Sequence, residues 1–255
     1  MTAVIDQPVV RTEARSRAHE ILRIVRLHCV NPSVFFGIPW IILGGAWAVM
    51  MIVGLIITAA NGPTEEMAEG MRYSWAVLSP QWYLVVVGVQ AIGLTFSFAL
   101  GFGTTRRDFW LGTSIMFAIV SLLNGIAIAT LVQIEKATDG WGIGIAMFDS
   151  LWYGQQGWLL DFYSTLALQL LVLFIGASVT TVYLRWRMRG TMTVLFSTVA
   201  LLLAFIAIAT FSGSWPALVE WFVAIGVVGA FSIVLAFAVV CAVGGYLVIR
   251  RATPR

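Results

Sequence analysis

The chain has 255 residues, 60% of them hydrophobic and only 11% charged, with a mean hydropathy of +0.93. Soluble domains run at about 45–50% apolar and about 25% charged, so an ordinary water-soluble fold is excluded, and the length suits one membrane domain with short connections. A net charge of +3 would hint at nucleic acid in a soluble protein, but here the positions of the basic residues assign them to a membrane surface.

The first residues, 1–12, are mixed and polar and contain Pro8, and they read as a tail. Over residues 13–29 the pattern changes. Ala14, Ala18, Ile21, Leu22 and Val25 recur with helical spacing, while Arg15, His19, Arg23 and Arg26 fall on the other side. This predicts a basic amphipathic helix lying in the membrane interface, with Arg15, Arg23 and Arg26 toward an anionic leaflet. Asn31-Pro32 ends it. No A-x-A-like cleavage site follows the first apolar stretch, which therefore reads as a retained span.

Crossing a ~30 Å hydrocarbon layer takes about 20 apolar residues. Six stretches qualify: Ile38–Ala60, Trp82–Gly103, Phe109–Gln133, Phe162–Leu184, Met192–Thr210 and Trp221–Ile249. The expected organisation is a tail and interface helix over 1–30 and an all-α six-helix membrane domain over 31–255. With the N-terminus in the cytoplasm, the inner segments hold Arg11, Arg15, Arg17, Arg23, Arg26, Arg106, Arg107, Arg185, Arg187, Arg189, Arg250, Arg251 and Arg255. Only Arg72 and Lys136 lie outside, so every loop obeys the positive-inside rule and both termini are cytoplasmic. Cys29 and Cys241 then fall near the reducing side, where a structural disulfide is not expected.

The outer connections carry their own signals. Asn61-Gly-Pro opens the first, and Ser79-Pro80 with Trp82-Tyr83 closes it. The second, about Ile134–Asp161, holds Gly140-Trp-Gly-Ile-Gly and the tryptophans Trp141, Trp152 and Trp158. Two readings stay open for it: a lid over the outer end of a pathway, or an anchor at the lipid surface. In the third, Pro216 and Glu220 suit a helix start.

The chemistry available is narrow. No G-x-x-x-x-G-K-[ST] occurs, and Gly101-Phe102-Gly103 lacks the strand and helix that would make it a nucleotide fingerprint. The two histidines, His19 and His28, both lie near the N-terminus, so haem ligation between spans, zinc hydrolysis and serine hydrolysis find no ligands or base. No catalytic residue and no metal ligand is expected. None of the six stretches contains Asp, Glu, Lys, Arg or His, which argues against an ion-driven carrier. Gln90, Asn124 and Gln169 are bulky neutral polar residues well inside them. They read as interhelical hydrogen-bond partners or as the lining of a weakly polar path. The pairs Ala238/Ala242 and Cys241/Gly245 permit close helix contact within one subunit or between two.

The sharpest local feature is Gly101-Phe-Gly-Thr-Thr-Arg-Arg-Asp-Phe-Trp110, a tight connection between the second and third stretches. Thr104 or Thr105 is placed to cap the following helix. Together with six spans, cytoplasmic ends and a basic helix before the first span, this connection resembles the ABC-2 type transporter permeases, membrane subunits of ATP-binding cassette exporters without a fused ATPase. The resemblance implies that Thr104, Thr105, Arg106, Arg107, Asp108, Phe109 and Trp110 form the element that couples to a separate cytoplasmic ABC ATPase, with Arg185, Arg187 and Arg189 contributing. It implies a dimer, of two copies or of one copy with a related permease, whose second and fifth spans line the path, here Gln90, Leu94, Ser97 and Ser197. ATP and magnesium would bind only to the partner, and this chain would need no cofactor. The setting would be a bacterial plasma membrane, with the bilayer and the ATPase as partners and no nucleic acid. The uncharged spans favour a hydrophobic or amphipathic cargo such as a drug, lipid or peptide. A second reading of the same basic surfaces is a non-transporting membrane scaffold or sensor that recruits a cytoplasmic protein.

Overall fold

The structure, a computed structural model, describes residues 17–62 and 64–252. Arg11, Ala14, Arg15, Pro63 and Arg255, named above, lie outside the described residues, as does the tail of residues 1–12. Helices α1 (Arg17–His28), α2 (Ile38–Asn61), α3 (Glu65–Arg72), α4 (Ser79–Gly93), α5 (Phe96–Gly101), α6 (Arg106–Ala137), α7 (Trp158–Phe211) and α8 (Trp215–Ile249) follow in order. No strand occurs among the described residues.

Among the described residues, five stretches are long and apolar enough to cross a membrane: Ser33–Ala60, Glu69–Gly101, Arg106–Ala137, Trp158–Phe211 and Trp215–Ile249. Six were expected. The difference lies in α7, which contains both the fourth and the fifth expected spans. Its 54 residues would reach about 80 Å if straight, more than twice the hydrocarbon thickness. It is not straight. Arg187 leaves helical geometry (φ 57°, ψ −151°), which divides α7 into residues 158–186 and 188–211. A Cβ on Gly190 would meet the Val182 side chain at 3.3 Å, although residues eight apart on a straight helix are separated by about 12 Å of rise. The chain therefore bends sharply at this break. A left-handed φ on a non-glycine residue costs roughly 1–3 kcal/mol, and it falls within the Arg185–Arg189 cluster that the charge distribution places at a turn. A related break at Gly226 (φ 62°, ψ −174°) divides α8 into 215–225 and 227–249. There glycine adopts the conformation at little cost.

Sequence signals set most helix ends. Thr64 caps α3, accepting from Met67 N at 3.3 Å. Pro80 and Pro216 sit in the first turns of α4 and α8, where a missing N–H costs little, and Pro39 follows a π-helical turn, Ser33–Gly37, that runs directly into α2. Near Leu94 and Thr95 the second apolar stretch is interrupted, separating α4 from α5. The short helix α3 lies in a segment that the sequence presented only as a loop.

Small residues hold the bundle together. Helices α4 and α7 cross where Gly88 meets Gly176. A Cβ on Gly88 would lie 2.2 Å from the Leu173 carbonyl oxygen, and one on Gly176 would lie 2.1 Å from that of Val85. Backbone thus packs on backbone, as membrane helices do when small residues line their contact. Around this crossing Leu84, Val87, Ile92, Phe117, Val120, Leu173 and Phe174 form the main core. Along α8 and just past its end, Phe231, Ala238, Gly245 and Ala252 are all buried at intervals of seven residues, a coiled-coil-like seam. Ser178 donates to the Cys241 carbonyl at 2.7 Å across this seam. The small residues Ala238 and Gly245 are thus used within the subunit. Trp40 Nε1 donates to Asn124 Oδ1 at 3.0 Å, and Asn124 Nδ2 to Gln169 Oε1 at 3.1 Å, tying α2, α6 and α7 together. For Asn124 and Gln169 the hydrogen-bonding reading holds.

The outward surface is strongly apolar. Leu201, Leu202, Leu203, Phe205, Val239, Val240 and Val243 are all exposed, and between 188 and 211 only Ala209 is buried. Such a surface is stable against lipid and not against water, consistent with a multi-pass membrane protein.

Candidate coupling surface and the opposite cap

At one end of the bundle, α1 lies against the start of α6. The residues buried in this contact lie beside the apolar stripe that the sequence assigns to the membrane interface. Ala18 and Leu22 are exposed, whereas Ile24 and His28 are buried. The reason is Gly112: a Cβ there would meet Ile24 Cβ at 2.6 Å, so the missing side chain is the notch that seats Ile24. His28 Nε2 is 3.0 Å from Thr113 Oγ1, and its ring packs on Phe35 and Phe109 at 5.5 and 6.3 Å. Burial drives the His28 pKa down to about 4, so the imidazole is neutral at physiological pH. Cys29 and Cys241 are both free thiols.

Thr105 caps α6. Its Oγ1 accepts from Asp108 N at 3.1 Å, and its hydroxyl donates to Asp108 Oδ2 at 2.6 Å. The other carboxylate oxygen of Asp108 accepts from Arg17 Nε at 3.2 Å. Asp108 is only 7% exposed. Its charge is therefore spent inside the chain, pinning α1 to the α6 N-terminus, where an acid also complements the helix dipole. Phe109 is fully buried against Phe96. Trp110 is buried beside Phe174, and its ring fills the space above Gly245 on α8. Thr104 is buried as well.

Of the seven residues proposed for coupling, then, four are interior. Thr105 and Arg107 are exposed and Arg106 is half-buried. Arg106 Nη1 donates to the Arg250 carbonyl at 3.0 Å, joining the end of α8 to the same junction. Arg23 lies with its guanidinium 5.6 Å from the Phe102 ring centroid, and Arg26 is exposed. In the α7 bend, Arg185 stacks over Trp186 at 4.3 Å, while Arg187 and Arg189 are exposed. Of the residues proposed to line a path, Leu94, Ser97 and Ser197 are exposed on the single chain and Gln90 is half-buried.

The loop after α6 forms a built cap at the opposite end. Asp139, Gly140, Trp141 and Gly142 all have positive φ, a single left-handed turn that only its glycines accommodate easily. It sends residues 145–149 back over the end of α6. There Glu135, 2% exposed, receives three consecutive backbone N–H groups on Oε1: Met147 at 3.0 Å, Phe148 at 2.9 Å and Asp149 at 2.7 Å. Trp141 Nε1 donates to its Oε2 at 2.7 Å. Asp149 lies 3.7 Å from both Arg72 and Lys136, and Lys136 also donates to the Gly154 carbonyl. Asp161, fully buried, accepts from Gly154 N at 2.9 Å. Burial pushes the Tyr153 hydroxyl up to about 12, and that hydroxyl accepts from Thr165. Beneath, Ile145 presses onto Gly54 of α2, and Trp141 packs edge-on to Trp47 at 5.4 Å. Trp152 packs on Phe231. Trp141 and Trp152 therefore face protein as well as any lipid. Glu135 falls just past the third expected span, Phe109–Gln133, and the sequence did not single it out. The only available signal was an acid ending an apolar stretch just before a glycine-rich run.

A charged cavity of about 480 Å³ lies beside this latch, walled by Arg72, Glu135, Lys136, Asp139 and Asp149. Among the described residues, no three His, Cys, Asp or Glu side chains gather as a metal site. No family model, curated protein or solved structure matches the chain.

Proposed function

We propose that the chain is the permease subunit of an ATP-driven exporter of the ABC-2 type in a bacterial plasma membrane. In this reading it carries a hydrophobic or amphipathic cargo and is driven by a separate cytoplasmic ATPase. The six spans follow from reading the Arg187 bend as a cytoplasmic turn, so that α7 crosses twice and both chain ends face the cytosol. The active unit is a pair, of two copies or of one copy with a related permease, and the exposed residues Leu94, Ser97 and Ser197 face the path between them.

One observation carries the reading. Helix α1, the start of α6 and the end of α8 are fastened together by Arg17–Asp108, Ile24 on Gly112, and Arg106 on the Arg250 carbonyl. Thr105 and Arg107 remain exposed on that junction. A push delivered there by a soluble motor reaches two long helices and the interface helix at once, as a coupling element requires. The interior residues Asp108, Phe109 and Trp110 transmit the force, and the exposed residues receive it. No bond is made or broken in this chain.

The test is purification of the tagged chain from its native membrane. The expected result is a co-purifying nucleotide-hydrolysing subunit, retained by wild type and lost with Arg107→Glu. Arg107 is the better probe than Arg106 because Arg106 also holds Arg250. Recovery of the chain with no such subunit, or with one indifferent to Arg107→Glu, counts against the proposal and favours a scaffold or sensor.

A further inference from the structure

Between α1 and α5 lies a cavity of about 270 Å³, lined by Arg23, Ile24, Arg26, Leu27, Val30, Phe98, Ala99, Phe102 and Thr104. Its walls grade from charged to apolar. Arg23 and Arg26 stand on α1 at one side. Val30, only three residues before the first membrane-crossing stretch, and Phe98, one turn before Phe102, extend the apolar side. Val30, Phe98 and Phe102 are exposed, and Phe98 and Phe102 pack edge to face at 4.6 Å. Arg23 is not consumed by its neighbours. Its contact with Glu20 is a loose 3.7 Å, and its guanidinium lies 5.6 Å above the Phe102 ring, which holds it at the mouth of the cavity.

We infer that this cavity binds one anionic phospholipid of the leaflet in which α1 lies. The phosphate pairs with Arg23 and Arg26, and an acyl chain runs along Val30, Phe98 and Phe102. Charge complementarity sets the head end, because arginine binds phosphate through a planar fork of donors. The exposed apolar wall sets the tail end, which a free anion would leave in contact with water. A soluble protein segment would satisfy the arginines but not a wall that faces the hydrocarbon. The lipid would close the gap between α1 and α5, the two elements that flank the Thr104–Trp110 connection. Basic pockets beside membrane helices on the cytoplasmic side are general lipid-headgroup sites. The inference needs only that α1 lies at a membrane face, and it stands or falls independently of any ATPase.

The experiment is native mass spectrometry of the full chain in neutral detergent, titrated with phosphatidylglycerol or phosphatidylcholine, with inorganic phosphate as a separate arm. Wild type is expected to retain one phosphatidylglycerol in preference to phosphatidylcholine and to be unaffected by millimolar phosphate. At roughly five-fold in affinity per cation near an anionic surface, Arg23→Gln with Arg26→Gln weakens this binding about thirty-fold, whereas Arg251→Gln leaves it unchanged. Should the double variant misfold, judged by its melting without lipid, Phe98→Ala with Phe102→Ala decides. That pair keeps the charges and is expected to lose the preference for a two-chain lipid over its water-soluble headgroup. Equal retention of both lipids, competition by phosphate alone, or undiminished binding in the substituted proteins overturns the inference.

Discussion

Replacing Glu135 removes one side chain and orphans four donors, which makes it the sharpest probe of the cap. In Glu135→Ala, the N–H groups of Met147 and Phe148 lose their acceptor while both residues remain buried. Each buried unpaired donor costs about 1–3 kcal/mol. Asp149 N and Trp141 Nε1 belong to half-buried residues and recover part of their loss from water. The sum is roughly 3–5 kcal/mol, enough for residues 138–157 to open locally before the bundle unfolds. Glu135→Gln keeps an acceptor for the three backbone groups but turns an amide donor toward Trp141, and costs about 1–2 kcal/mol. Hydrogen exchange in detergent reads this directly. At about 1.4 kcal/mol per decade, the amides of residues 147–149 exchange at least ~100-fold faster in the alanine variant and about tenfold faster in the glutamine variant, while core amides of α6 stay protected. Unchanged protection at 147–149 in Glu135→Ala refutes the argument, and so does global unfolding with no local phase.

Four further outcomes follow from the geometry. Gly88→Ala and Gly176→Ala each force a Cβ to about 2 Å from a backbone oxygen and should lower stability by about 1–3 kcal/mol, whereas Gly44→Ala, with open space around it, should be silent; equal melting of all three would contradict the proposed crossing. Asn124→Leu strands Trp40 Nε1 and Gln169 and should cost about 1–2 kcal/mol, with Asn124→Leu/Gln169→Leu recovering part of it in a denaturation cycle. His28, whose pKa of about 4 in the folded chain lies below its ordinary 6.5, contributes stability that is complete above about pH 6.5 and is lost as pH falls toward 4; spin-label distances between α1 and α6 should lengthen over that window, and His28→Phe should flatten the response. Single cysteines at 107 and 187 should be labelled from the same side of sealed vesicles, and one at 142 from the other; labelling of 187 with 142 would contradict the proposal that the Arg187 bend is a cytoplasmic turn.

Length and apolarity made the long helices legible, and turn chemistry narrowed the α6 cap to Thr104 or Thr105 and marked Pro216 and the Gly140–Gly144 run. The break in α7 could be anticipated only from its arginines, because Arg187 is neither Gly nor Pro and local propensity favours continuation. Periodicity gave the apolar stripe of α1 but not the side that packs on protein, because that side is selected by Gly112, far away in sequence. The expected contact residues Asp108, Phe109 and Trp110 proved to be interior for a similar reason: Arg17, Phe96 and Gly245 claim them through tertiary packing. The latch on Glu135 depends on three backbone N–H groups, which carry no residue signature at all.

The most direct test of the central claim is energetic. Inverted membrane vesicles carrying the chain and any subunit that co-purifies with it are given an amphipathic fluorescent dye in the outside medium and treated with an uncoupler before nucleotide is added. A motor-driven gate predicts dye accumulation that requires hydrolysable ATP, persists without an ion gradient and is abolished by Arg107→Glu. Accumulation that proceeds without nucleotide and collapses with the gradient would contradict it.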